Sequence, residues 1–117
     1  MHIEMSKRPH TEIRIRIYTE DEPFLGIGRI QLLENIIEHG SIAKGAAAMN
    51  MSYRKAWQLV EYMNAMAERP LVEKRLGGSK GGGAYVTETG QELIRKFHEL
   101  RLSAEQFVAQ KAKEIGL

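Results

Sequence analysis

Tyr53, Arg54, Lys55 and Gln58 fall within six consecutive residues. Two of them suit base reading. A guanidinium donates two parallel hydrogen bonds to a guanine edge, and a glutamine amide pairs in the same way with adenine. Lys74, Arg75 and Lys80 add three cations further along, and Lys80 lies inside the run Gly77-Gly78-Ser79-Lys80-Gly81-Gly82-Gly83. Gly81 and Gly82 carry no Cβ and permit close approach to a sugar–phosphate wall. Ser41 and Ser52 each head a helical pattern, where free amides and the helix dipole favour a phosphate. These residue types describe a polyanion reader. The plainer reading is that Arg54 and Lys55 are solvated surface charges and that Tyr53 packs over a helix start.

Other chemistries find less support. With no cysteine in the chain, disulfides, thiolate metal sites and cysteine nucleophiles are excluded. His2, His10, His39 and His98 are dispersed without ligand spacing, so no metal and no cofactor is assigned. The glycine-rich run is not a nucleotide loop. That motif needs Gly-Lys-Ser/Thr between a strand and a helix, whereas Lys80 follows Ser79 between two predicted strands. No nucleophile–base grouping or carboxylate pair stands out, so the chain reads as a non-enzyme.

The elements that must position these residues follow from periodicity. Ile13, Ile15 and Ile17 alternate with Glu12, Arg14 and Arg16, which predicts a half-buried strand ended by Asp21, Glu22 and Pro23. Ile30, Leu33, Ile36 and Ile37 predict one helix face over residues 27–39, with Gly40 as its stop. Ser41 then caps a short alanine-rich helix, 42–49. Asn50, tolerant of the left-handed conformation, breaks the chain, and Ser52 caps a third helix over 53–67. Its inner stripe is Ala56, Leu59, Val60, Met63 and Ala67. Trp57 lies beside that stripe and reads as a structural core or rim residue. Strands at 71–76 and 84–86 frame the glycine-rich loop, and Thr87 caps a long helix over 88–115.

Helix, three-residue break, helix is the helix-turn-helix arrangement. Its details agree: small Ala46 four residues before Asn50, apolar Met49 and Met51 beside the turn, and inward Ala56 and Leu59 six and nine residues after it. The hairpin that follows makes it a winged helix. The fold class is therefore mainly α with a small β-hairpin: a winged helix-turn-helix with an N-terminal strand and a long C-terminal helix. Residues 1–10 read as a flexible tail and 11–117 as one domain. In the last helix, Leu93, Phe97, Leu100, Ala104, Phe107 and Val108 form a seam longer than a small domain covers, so a homodimer is expected there. The alternative is that only its first half packs.

The chain has 117 residues with a net charge of +2. The charge is unevenly placed. Residues 41–83 hold seven lysines and arginines against three glutamates, while the rest holds ten basic against twelve acidic residues. A basic centre that coincides with the helix-turn-helix and the hairpin suits a nucleic acid. No apolar run is long enough for a membrane span, and residues 1–10 lack the apolar core of a secretory signal, so a cytoplasmic location is expected.

Several segments together resemble a known family. They are Gly40-Ser41-Ile42, Met51-Ser52-Tyr53-Arg54-Lys55-Ala56-Trp57 into Met63-Asn64, Leu71-Val72-Glu73, and the glycine-rich run into Ala84, Thr87 and Gly90. The chain resembles the N-terminal DNA-binding domain of the ModE family of molybdate-responsive regulators over about residues 12–115. It is more distantly similar to LysR-type winged helices. The resemblance implies a prokaryotic transcriptional regulator that binds double-stranded DNA as a dimer on a palindromic operator. Ser52, Tyr53, Arg54 and Lys55 match its recognition-helix start, and Lys80 with its glycines matches the wing. Family members sense the oxyanion with a second, C-terminal domain. The sequence stops at Leu117, so the expectation is a regulator without a molybdate sensor of its own. The competing expectation is a winged-helix protein-interaction module without DNA binding.

Overall fold

A computed structural model describes residues 9–76 and 83–117. The element order is β1 (Arg16–Thr19), β2 (Glu22–Gly26), α1 (Ile27–His39), α2 (Ile42–Ala48), α3 (Tyr53–Met66), β3 (Val72–Lys74), β4 (Ala84–Val86) and α4 (Glu88–Glu114). This is the mainly-α winged-helix layout expected from the sequence. Lys80, Gly81, Gly82 and most of the 1–10 tail lie outside the described residues.

The N-terminal region differs from its expectation. The isoleucine alternation holds, with Ile13, Ile15 and Ile17 half-buried and Arg14 and Arg16 exposed, but the paired strand is shorter. A second strand, β2, pairs antiparallel with β1, and Glu22 and Pro23, two of the three residues expected to end the first strand, lie in it, while Asp21 stays in the turn. Glu20 makes the turn at φ 54°. The register shifts between Ile17 and Tyr18, and Pro23 sits opposite Tyr18 beside that irregularity, where a missing N–H is tolerated.

One core joins the helices to the wing. It includes Leu25, Ile30, Leu32, Leu33, Ile36, Ile42, Val60, Met63, Leu71, Val86 and Phe97. Each such side chain contributes about 1.5–3 kcal/mol by leaving water. On α1 the buried face is Ile30, Leu32, Leu33 and Ile36, whereas Ile37, expected inside, is 50% exposed. The α1–α2 corner is tight. Gly40 adopts φ 80° with its N–H on the Ile36 carbonyl, and a Cβ on Gly45 would stand 3.1 Å from the Ile36 backbone nitrogen.

Helix α4 is 27 residues long, about 40 Å. Gly90, Ile94 and Phe97 are its buried residues. Phe97, expected on a subunit seam, is only 2% exposed and belongs to the chain's own core. Leu93 packs against that core half-buried. Beyond it Leu100 is 47% and Phe107 69% exposed, with Ala104 and Val108 half-buried. Pro9, His10 and Thr11 line a shallow cavity with Ala109, Ala112, Lys113 and Leu117 at its far end.

Candidate nucleic-acid interface

The turn between α2 and α3 follows from one residue. Asn50 adopts φ 53°, where its short polar side chain is tolerated, and Met51 N–H donates to the Ala46 carbonyl at 2.9 Å. Ala46 and Ala56 are buried at the crossing; Met49, Met51 and Leu59 are half-buried. Ser41 Oγ accepts from Lys44 N–H at 3.0 Å and Ser52 Oγ from Lys55 N–H at 3.1 Å. Both serines therefore cap their helices, and each keeps its hydroxyl proton for an outside acceptor.

The wing is tied to the helices at three places. Ala84 N–H donates to the Gly40 carbonyl at 3.1 Å, and a Cβ on Gly83 would stand 2.6 Å from that same oxygen. Only glycine lets the hairpin approach the α1–α2 corner so closely. Asn64 on α3 accepts from Leu71 N–H at 2.8 Å and Val72 N–H at 3.2 Å, and donates to the Val72 carbonyl at 3.0 Å. Thr87 caps α4 by accepting from Gly90 N–H at 3.1 Å, while its hydroxyl donates to the Pro70 carbonyl at 2.7 Å. A Cβ on Gly90 would meet the Leu71 carbonyl oxygen at 2.5 Å.

These ties bring Ser41, Tyr53, Lys74 and Arg75 around one groove of about 590 Å³, floored by Ile42, Ala43, Gly83 and Ala84. Arg54, Lys55 and Gln58 are exposed on α3 but do not line it. Arg75 is doubly held. Its N–H donates to the Gly83 carbonyl at 2.8 Å, and its guanidinium lies 5.6 Å over the Tyr85 ring. The Tyr85 hydroxyl in turn donates to Glu73 at 2.6 Å. That bond, with some desolvation and the Glu73 charge, raises the phenol above its ordinary range, partly offset by Arg75. Among the described residues, Lys44, Arg54, Lys55, Lys74 and Arg75 have no carboxylate partner within salt-bridge distance. Their charge is open to an external anion.

Comparison with known proteins finds strong relatives, although no family model matches. The chain is 49% identical over 75 residues to the molybdenum-pterin-binding protein MopA of Rhodobacter capsulatus, covering 64% of this chain and 28% of MopA. It is 40% identical over 86 residues to the DNA-binding transcriptional dual regulator ModE of Escherichia coli K12, covering 74% of this chain and 33% of the regulator. The Haemophilus influenzae ModE matches at 34% over 96 residues, 82% of this chain and 38% of that protein. This chain is a homologue of ModE. It spans about a third of the length of the curated relatives it matches. Those names describe transcriptional regulators and molybdenum-binding proteins. The match is consistent with a ModE-family N-terminal DNA-binding domain. No helix among the described residues is long and apolar enough to cross a membrane.

Sequence reading missed two residues of this site. Asn64 was visible only as part of a motif, because its partners are backbone groups seven and eight residues away. Tyr85 had no signal, since its value depends on a cross-strand Glu73. Trp57, read as a core or rim residue, is 40% exposed and lies outside the buried core, as a rim residue would.

Proposed function

We propose that this chain is a ModE-like, sequence-specific double-stranded DNA-binding transcriptional regulator acting in the cytoplasm as a homodimer. The observation that carries this reading is the groove where unpaired Arg75 and Lys74 on the wing meet Tyr53 and Ser41 of the helix-turn-helix. The N-terminal residues of α3, Tyr53, Arg54, Lys55 and Gln58, reach base edges in the major groove. Ser41 and Ser52 hold phosphates, while Lys74, Arg75 and Lys80, with Gly81 and Gly82, follow the backbone beside it. The seam of exposed Leu100 and Phe107 with half-buried Ala104 and Val108 joins two copies, with Leu93 at its near end. Two recognition helices then face successive major grooves, ~34 Å apart, on a palindromic operator.

The test is selection of bound duplexes from a random pool, with and without molybdate. A recovered two-fold symmetric motif with half-sites one helical turn apart supports the reading. Recovery of random sequence with no salt-sensitive binding overturns it and favours the protein-interaction module.

A further inference from the structure

Trp57 sits on a particular flank of α3. At roughly 100° per residue, positions 53, 57 and 64 fall within about 40° of one another around the helix. Both of its flank neighbours are spent on the wing side: Tyr53 lines the groove with Lys74 and Arg75, and Asn64 is hydrogen-bonded to Val72. The shared arc puts Trp57 on the flank of α3 that borders the valley toward β3, beside the groove rather than among the residues that line it. The residue is 40% exposed, and its indole N–H has no hydrogen-bond partner among the described residues. An indole N–H only donates. Lys74 and Arg75 line the adjoining groove and Arg54 is exposed on α3, all three without a carboxylate partner among the described residues. If α3 occupies a major groove and the wing lies beside it, the sugar–phosphate strand separating them must cross this valley.

We propose that Trp57 is a DNA backbone contact, its ring packed on a deoxyribose and its N–H donated to a phosphate oxygen. This rests on the DNA-binding reading above and adds a residue to it. The contact positions the duplex and carries no base preference.

Trp57 is the single tryptophan of the chain, so its emission reports this site alone. The probe is the tightest duplex recovered from a random pool, synthesised also with a neutral methylphosphonate at one phosphate at a time. Saturating duplex is expected to change the emission. Trp57→Phe, which keeps a ring and removes the donor, is expected to weaken binding about tenfold, the size of one hydrogen bond to a charged group. The loss is the same on specific and random duplexes. One methylphosphonate position is expected to cost the native chain a similar factor and the variant nothing further. Unchanged emission at saturation overturns the proposal, as does native-like affinity of Trp57→Phe or additive losses at every phosphate. A native chain that binds no duplex overturns the DNA-binding reading itself. Native-like melting of Trp57→Phe by circular dichroism separates lost contact from lost fold.

Discussion

Asn64 grips both backbone groups of Val72, accepting from its N–H at 3.2 Å and donating to its carbonyl at 3.0 Å. A third bond, from Leu71 N–H at 2.8 Å, occupies the second acceptor site of the same amide oxygen. A side chain of the reading helix thereby stands in for a neighbouring strand at the root of the wing.

Replacing Asn64 by Ala strands part-buried backbone groups of Leu71 and Val72. The expected loss is about 1–3 kcal/mol of folding stability, read as a lower urea midpoint. Asn64→Asp keeps an acceptor and loses the donor, so an intermediate midpoint is expected.

Gly83→Ala tests the contact between wing and corner. The added methyl would lie 2.6 Å from the Gly40 carbonyl oxygen, so the hairpin must move away. We expect weaker DNA binding at a modest stability loss of about 1 kcal/mol, compared by duplex titration and thermal melting. Gly90→Ala, whose methyl would meet both the Leu71 carbonyl and Val86 side chain inside the core, is expected to cost about 1–3 kcal/mol instead.

Much of this was legible beforehand, for local reasons. Gly40, Ser41, Asn50, Ser52 and Thr87 announce helix ends because their work is done on backbone within four residues. The helix-turn-helix and both wing strands follow from those ends and from apolar spacing. Strand β2 was not legible, because Asp21, Glu22 and Pro23 in a row look like a stop and only pairing with β1 makes Glu22 and Pro23 the start of a strand. Ile37 and Leu32 exchanged roles because a four-residue stripe does not fix the helix's rotation against α2 and α4. Phe97 was assigned to a partner since periodicity does not distinguish a chain's own core from a neighbour's.

Arg54→Ala and Lys74→Ala are expected to differ in kind. The first should relax sequence preference by about 1–3 kcal/mol of discrimination at one base pair. The second should weaken specific and random duplexes alike and lower the salt slope by about one. The same uniform loss is expected for Lys80→Ala. Titrations against both duplexes at several salt concentrations decide it, and identical profiles for Arg54 and Lys74 variants would remove the division of labour.

The Tyr85 phenol titrates above its ordinary 10.0 because its proton is held by Glu73. The sign follows. The folded form binds this proton more tightly than the unfolded chain, so the contribution is complete below pH 10 and fades as pH rises through the raised value. Tyr85→Phe is expected to lack this alkaline loss. Denaturant midpoints of both proteins between pH 8 and about 11 provide the check.

Phe107→Asp addresses the proposed homodimer. With 69% of Phe107 exposed, a carboxylate there leaves the monomer fold intact and opposes apolar pairing. The native chain is expected to sediment as twice 13.3 kDa and the variant as a single copy. A native chain that sediments as a monomer rejects the seam.

The wing strands have three residues each. A hairpin that short has no stability of its own in water. Its order is borrowed from Gly40, Asn64 and Thr87, one anchor on each of three helical units. Amide exchange should therefore treat β3 and β4 as part of the helical unit: their protons become available to deuterium only when the helices open, and a lost anchor speeds exchange in the hairpin before it is felt at Ile30 or Leu33.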